Sequence, residues 1–360
     1  MPYPTSSLID RPLALGATRV SRNRLSLAAM TNTLSEADGN VGQDECDWLL
    51  SRANAGFGSV VTSGLASSAV GRNWVGQAGI YDDRFLPGLS QLASARAPGT
   101  VLIAQLLHCG LRSPASSIGQ TPLGPSDGPG WRALTQAEVE LTVEDYVTAA
   151  ERAMRAGFDG VEIHAAHGYL PAQFLSRVEN TRNDKWGGDF ERRSAFPLEL
   201  VARVRKALPD DAVVQLRLSA EDMRQSRGID LDETVEVARR AADLGADAVS
   251  LSVWNIRLPS QKHPRSTPAA YVRARLTDRI PLIVAGSIWD AADARFAFDE
   301  GADQLGIGRM AIFNRDAPQG LRDDAWSPAR PPFSVQQFGD AGVPEKFVDY
   351  LRGKWPEYLA

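Results

Sequence analysis

Cysteine is nearly absent. Only Cys46 and Cys109 occur in 360 residues, far apart, so the chain builds neither a disulfide framework nor a four-cysteine iron–sulfur site of its own. Lys/Arg clusters are also missing, and the net charge is −5, which argues against a nucleic-acid footprint and leaves small molecules as the expected partners. No apolar run approaches the ~18 residues of a membrane span, and Met1 to Leu8 lack the basic region and apolar core of a signal peptide, so no membrane partner and a cytoplasmic location are expected. No G-x-G-x-x-G stands between a strand and a helix, and none of the strand-like runs carries the lysine that a Schiff-base lyase would want.

Hydrophobic residues make up 43% and charged residues 23%, ordinary values for a globular enzyme long enough to bury a large core. Short apolar runs alternate with helix-length amphipathic segments. The runs predict eight strands, at 25–30, 59–64, 101–106, 160–165, 213–219, 248–253, 281–286 and 304–308. Helices are expected near 43–55, 84–97, 142–156, 190–207, 231–244, 268–277 and 289–300, with Thr142 to Asp145 as a capping box and Gly157 and Gly245 as helix stops. Eight such units predict a (β/α)₈ TIM barrel of about 20–316 within a single domain, 1–360, with chemistry at the C-terminal strand ends. Residues 111–133 are too rich in Pro, Gly and Ser for a barrel helix and read as an excursion after strand three that covers the mouth. The tip of that excursion reads equally as a surface loop without fixed structure. The aromatic tail 331–360 either seals the barrel bottom or docks on a neighbour, so a homo-oligomer is compatible with the chain.

Several strand ends carry chemistry. His164, His167 and Tyr169 form an H-x-x-H-x-Y pattern that places hydrogen-bond donors and a proton source at one of them. Two imidazoles fall short of the three or four ligands usual for zinc, so no metal is expected; three of the four histidines lie near this point. Gly286 with Ser287, and Gly308 with Arg309, open the last two βα turns, where barrels frequently bind phosphate through backbone N–H groups and a basic side chain. Ordinary turn glycines are the alternative. Arg217 lies within an apolar strand, where a permanent cation needs a partner such as Glu162 or Glu221, and Gln105 needs a partner for the same reason. Thr31 and Gly64 follow the first two strands, where turn residues are common.

The stretch 161–193 resembles the old yellow enzyme family of FMN-dependent ene reductases, and the resemblance extends over nearly all of residues 8–316. It implies FMN, with Thr31 touching the flavin C4 carbonyl, the main chain at Ser63–Gly64 along the ring edge, Gln105 on the pyrimidine edge and Arg217 facing N1 and the C2 carbonyl. Gly286, Ser287, Gly308 and Arg309 would then hold the phosphate. On the substrate side it implies that His164 and His167 donate to the oxygen of an electron-poor alkene (an enone, enal or nitroalkene), while Tyr169 protonates the α-carbon. NADH or NADPH would reduce the flavin, which passes hydride from N5 to the alkene. Asn180 to Gly188 and Glu191 to Arg193 resemble the family's scaffold, not its chemistry. The chain departs from the family pattern at Ala29, Leu107, Cys109, Leu111, Arg177 and Trp186, changes expected to alter packing. Two other readings are a flavin barrel that oxidises its substrate, as a dehydrogenase or demethylase, and a non-redox phosphate-binding barrel.

Overall fold

The computed structural model describes residues 4–94, 96–223, 226–276 and 280–360; the parts of the expected helices that fall on 95 and 277, and the first three residues, lie outside them. Eight parallel strands close a ring: β1 (Leu25–Leu27), β2 (Ser59–Val61), β3 (Val101–Leu107), β4 (Gly160–Ala165), β5 (Val213–Ser219), β6 (Ala248–Ser252), β7 (Leu282–Ala285) and β8 (Gln304–Ile307). Neighbours in sequence pair around the ring, and β8 pairs with β1 to complete it. All eight expected strands are present, ending up to three residues early at β1 and β2.

Alternation explains the two-sided burial. Along the strands Val61, Ile103, Val213, Ala248 and Ile283 point inward and meet Leu15, which a small antiparallel hairpin (Leu13–Leu15 with Arg19–Ser21) presses into the barrel bottom. The alternate residues Val161, Ile163, Val214 and Leu216 face outward into the larger core, which includes Phe196, Leu200, Val201 and Val204. Those four come from the helix Phe190–Ala207.

Three strands start on the same device. Gly157, Gly245 and Gly301 turn the chain at φ 96°, 93° and 92°, and two residues later Asp159, Asp247 and Asp303 open the next strand. Each carboxylate accepts the backbone N–H of a neighbouring strand (Leu102, Val214 and Leu282) at 2.8–2.9 Å. Arginines then neutralise them: Arg19 and Arg96 at Asp159, Arg205 at Asp247, Arg273 at Asp303. This stitching belongs to the N-terminal face, where barrels keep stability and not catalysis.

Two expectations are corrected. The capping box is not Thr142 to Asp145: the helix runs Gln136–Ala156, with Thr135 and Glu138 forming the reciprocal box. Thr142 lies inside it and bonds back to the Glu138 carbonyl at 2.7 Å, because nothing in 136–141 breaks the helix. The tail, in turn, does not seal the barrel bottom: Trp355 lines a cavity at the opposite, C-terminal end of the strands, and Tyr358 bonds Arg309 there. Its helices Val335–Asp340 and Glu345–Lys354 fold onto the barrel beside the short helix Arg309–Phe313, which leaves Phe313 to be covered by Phe333, Phe338 and Tyr358. Arg52, fully buried, fixes this arrangement by donating to the carbonyls of Ala311, Ile312, Ala341 and Gly342.

The excursion has fixed structure: a helical turn at Gly110–Arg112, a helix at Ala115–Ile118, and paired strands Leu123–Gly124 and Arg132–Ala133. Arg182 clamps it by donating to the carbonyls of Pro125 and Leu134 at 2.7 and 2.6 Å. Among the described residues no helix is long and apolar enough to cross a membrane.

Candidate active site

A cavity of about 270 Å³ opens at the C-terminal ends of the strands. Its wall includes His167 after β4, Arg217 on β5, Gly286 and Ser287 after β7, and Gly308 and Arg309 after β8. Six of the expected residues therefore converge on one space. Apolar and aromatic surface lines the rest, chiefly Ala28, Met30, Val253, Trp289, Met310 and Trp355.

At the β7–β8 end, Arg309 donates to Ser287 Oγ at 2.5 Å and to the Tyr358 hydroxyl at 3.1 Å, and its guanidinium lies 4.9 Å from the Trp254 ring centroid. Ser287 is held at φ 52° and donates to the Trp254 carbonyl at 3.0 Å. Gly306 keeps the wall flat, since a Cβ there would stand 2.8 Å from that of Ala285.

Below the cavity runs a polar thread inside the barrel. Gln105 donates to Glu162 Oε1 at 2.7 Å, and Arg217 approaches the same oxygen at 3.8 Å while donating to the Ala29 carbonyl at 3.3 Å. Glu162 is thus the carboxylate beside Arg217; Glu221 instead accepts from Ser260 and from the Gln261 amide. Burial pushes Glu162 up, against the pull of Arg217 and the hydrogen bonds from Gln105 and Ser250. Burial likewise lowers Arg217, with Glu162 opposing. The Arg217 Nε is buried and has no partner among the described residues.

His164 stands directly behind His167, ring centroids 4.9 Å apart, and Tyr169 packs edge-on against His164 at 5.0 Å. Burial, reinforced by Arg217 and Arg112, holds both imidazoles well below their ordinary range. Burial raises the Tyr169 phenol well above its usual value. Tyr169 packs with Leu107, Cys109 and Trp74, and Arg112 caps it: its guanidinium lies 4.6 Å from the ring centroid and donates to the His167 carbonyl.

Thr31 follows Met30 of the cavity wall, and its side chain reaches the Tyr350 hydroxyl of the tail. Gln105 and Gly64 stand outside the wall; Gly64 leaves room for Leu107, whose Cδ2 a Cβ would approach to 2.5 Å. Sequence reasoning missed Ser252, Met223, Trp289 and Trp355 of the wall, and Arg112 beside Tyr169. Only Ser252 left a signal, its inward parity with Ala248 and Ser250 along β6.

A closed parallel barrel with a cationic, aromatic-lined cavity at its C-terminal rim defines a (β/α)₈ enzyme that takes an anionic cofactor. The family can be stated as well: the model of the NADH:flavin oxidoreductase / NADH oxidase family matches residues 9–325, and the chain belongs to this family, the old yellow enzymes. FMN is the family's cofactor and NADH or NADPH its reductant. The chain is 36% identical over 303 residues to the probable NADH-dependent flavin oxidoreductase YqiG of Bacillus subtilis, covering 81% of each. It is 32% identical to the NADH oxidase of Thermoanaerobacter brockii, where 84% of the chain spans about half (49%) of that longer protein. Among solved structures, morphinone reductase superposes with a TM-score of 0.80 at 27% identity, covering 93% of the chain and 96% of that structure. The old yellow enzyme homologue of Zymomonas mobilis gives 0.82 at 25% identity, covering 93% and 99%.

Proposed function

We propose that the rim cavity holds FMN and that the chain reduces electron-poor alkenes at the expense of NADH or NADPH. The observation that carries this reading is the convergence of His167 and Arg217 with the glycine turns of β7 and β8 on a single cavity. The residues present fit the cofactor. Gly286, Ser287, Gly308 and Arg309 offer a permanent cation, a hydroxyl and close backbone approach to a phosphate. The flat wall at Gly306 and the apolar surface of Ala28, Met30 and Met310 suit a planar ring. The unpartnered Nε of Arg217 offers a donor and a positive charge where a reduced ring gathers negative charge. Thr31, Gly64 and Gln105 would border the ring from behind the wall.

Bound FMN supplies reversible two-electron chemistry, taking a hydride from the nicotinamide and giving it to the alkene. The chain does the rest. His164 and His167, both neutral, hold the oxygen of an enone, enal or nitroalkene and draw electron density from its β-carbon. Tyr169 keeps its proton at working pH and delivers it to the α-carbon. Trp74, Arg112 and the excursion bound the substrate side, and Arg112 steadies the phenol.

The test begins with the absorbance spectrum of the purified protein and the mass of its released chromophore. Protein reduced by NADH is then mixed anaerobically with cyclohexenone, an enal or a nitroalkene in stopped flow. Reoxidation by at least one of them is expected. A colourless protein, or reduced protein that none of the three reoxidises, would overturn the reading.

A further inference from the structure

A carboxyl group is buried behind the ends of β1 and β2 with no cation to answer it. Glu45 stands in the first turn of the helix Gln43–Ala53, is 1% exposed, and makes no ion pair among the described residues. Burial pushes it up, and only hydrogen bonds from Asn32, Ser63 and Ser35 oppose. A leucine would fill the place without that cost, so the carboxyl group calls for an explanation.

Its partners supply one. Glu45 Oε1 accepts from Asn32 Nδ2 at 2.9 Å and from Ser63 Oγ at 3.3 Å, and Ser35 Oγ approaches Oε2 at 3.5 Å. The Asn32 amide has one orientation. A backbone N–H can only donate, so the Leu34 N–H, 3.2 Å away, makes Asn32 Oδ1 the acceptor and leaves Nδ2 to Glu45. Asn32 follows Thr31 and Ser63 precedes Gly64, so a single carboxyl oxygen ties together the turns after β1 and β2.

The β1 turn needs that tie. Thr33 sits at φ 59°, a conformation that is costly for a β-branched residue, and Asn32 holds it from both sides. Thr33 Oγ1 donates to the Asn32 carbonyl at 2.7 Å, while the Leu34 N–H donates to the Asn32 side chain. Asn32 is itself 1% exposed, and Glu45 is the partner of its Nδ2. Without Glu45 the amide loses its anchor, and the turn relaxes towards negative φ and takes Thr31 with it.

We propose that Glu45 is a positioning residue for the flavin: by bridging Asn32 and Ser63 it holds the strained turn that aims the Thr31 hydroxyl at the C4 carbonyl. The proposal rests on the reading that Thr31 borders the ring. A carbonyl can only accept, so on that reading Thr31 gives its one proton to the flavin and leaves its oxygen to the Tyr350 hydroxyl. Such a bond favours the reduced flavin, whose carbonyl oxygen carries more negative charge.

The midpoint potential of FMN-loaded protein reads this directly. Thr31→Ala should lower the ratio of reduced to oxidised flavin about 5–10-fold, the loss of one hydrogen bond, which is about 20–30 mV for two electrons. Glu45→Ala should retain FMN, whose phosphate is held elsewhere, and lower the potential by a similar amount. Glu45→Gln, which keeps the accepting oxygen, should leave it native. In the Thr31→Ala background, Glu45→Ala should bring no further drop. A merely structural glutamate would lower the unfolding midpoint of Glu45→Ala and leave the potential in place. That result, an equal shift in Glu45→Gln, or an additive drop in the double variant would overturn the proposal. If Glu45→Ala does not fold, Asn32→Ala cuts the same bridge from its other end, and the same outcomes decide. A native potential in Thr31→Ala would overturn the reading of Thr31 and the proposal with it, whereas a shift there with none in Glu45→Ala overturns the proposal alone.

Discussion

Tyr169 shows how much a single side chain depends on its surroundings. Its phenol is almost wholly buried against Leu107, Cys109 and Trp74, which raises the cost of ionisation, while the Arg112 cation over the ring works the other way. A phenol held neutral in this manner can give up a proton only as charge develops on the acceptor, which is what a general acid requires. Tyr169→Phe should therefore slow alkene reduction roughly 10²–10⁴-fold while leaving flavin reduction by NADH or NADPH intact. Separate stopped-flow traces of the two half-reactions check this, and unchanged alkene turnover would remove Tyr169 from the role. Arg112 was invisible at this scale: it precedes Ser113 in a loop whose composition suggests only turns, and its meaning comes from a contact with residues more than fifty positions away.

At the scale of elements, periodicity made the barrel legible. Strand residues alternate between the barrel interior, apolar around Leu15 and polar above it, and the outer core, so every apolar run coincided with a strand. Local competition was harder to read. Thr142 and Asp145 match a helix start, but Thr135 and Glu138 match it as well and lie one helical stretch earlier, so the longer helix prevails. Thr135→Ala should cost about 1 kcal/mol, seen as a lower urea midpoint with unchanged m-value. The excursion illustrates the opposite failure: its Pro, Gly and Ser content suggested looseness, yet its order comes from Arg182, outside the segment. Arg182→Met strands the carbonyls of Pro125 and Leu134 and breaks the pair with Asp184, and should cost about 2–3 kcal/mol. Hydrogen exchange in 111–134 should rise well before the barrel strands are affected; uniform protection would count against the clamp.

For the whole molecule, the two faces divide the labour. The Gly-x-Asp stitches hold the N-terminal face, and the tail, locked by Arg52, completes the C-terminal one. Acid should act through the histidines. His108 is buried and lowered by burial to about 4, below the 6.5 of an unfolded chain, and His164 and His167 are lowered too. Between those values the unfolded state binds protons that the folded state refuses, so stability rises with pH across that window and is lost as pH falls from 6.5 towards 4. His108 alone accounts for about 3 kcal/mol at the lower end. Urea midpoints measured from pH 7 to 4.5 should fall steeply, and His108→Gln should flatten the curve; a parallel curve in the variant would exclude His108 as the cause.

The thread from Gln105 through Glu162 to Arg217 has an evolutionary corollary. Each member answers the charge or the lone pairs of the next, so exchanging Glu162 for leucine leaves a guanidinium stranded in the interior, and exchanging Arg217 leaves a carboxylate there. Mutational paths through these three positions should be strongly epistatic, with single steps penalised and the triple replacement less harmful to folding than the sum of its parts. Lineages that retain one of the three are then expected to retain all of them.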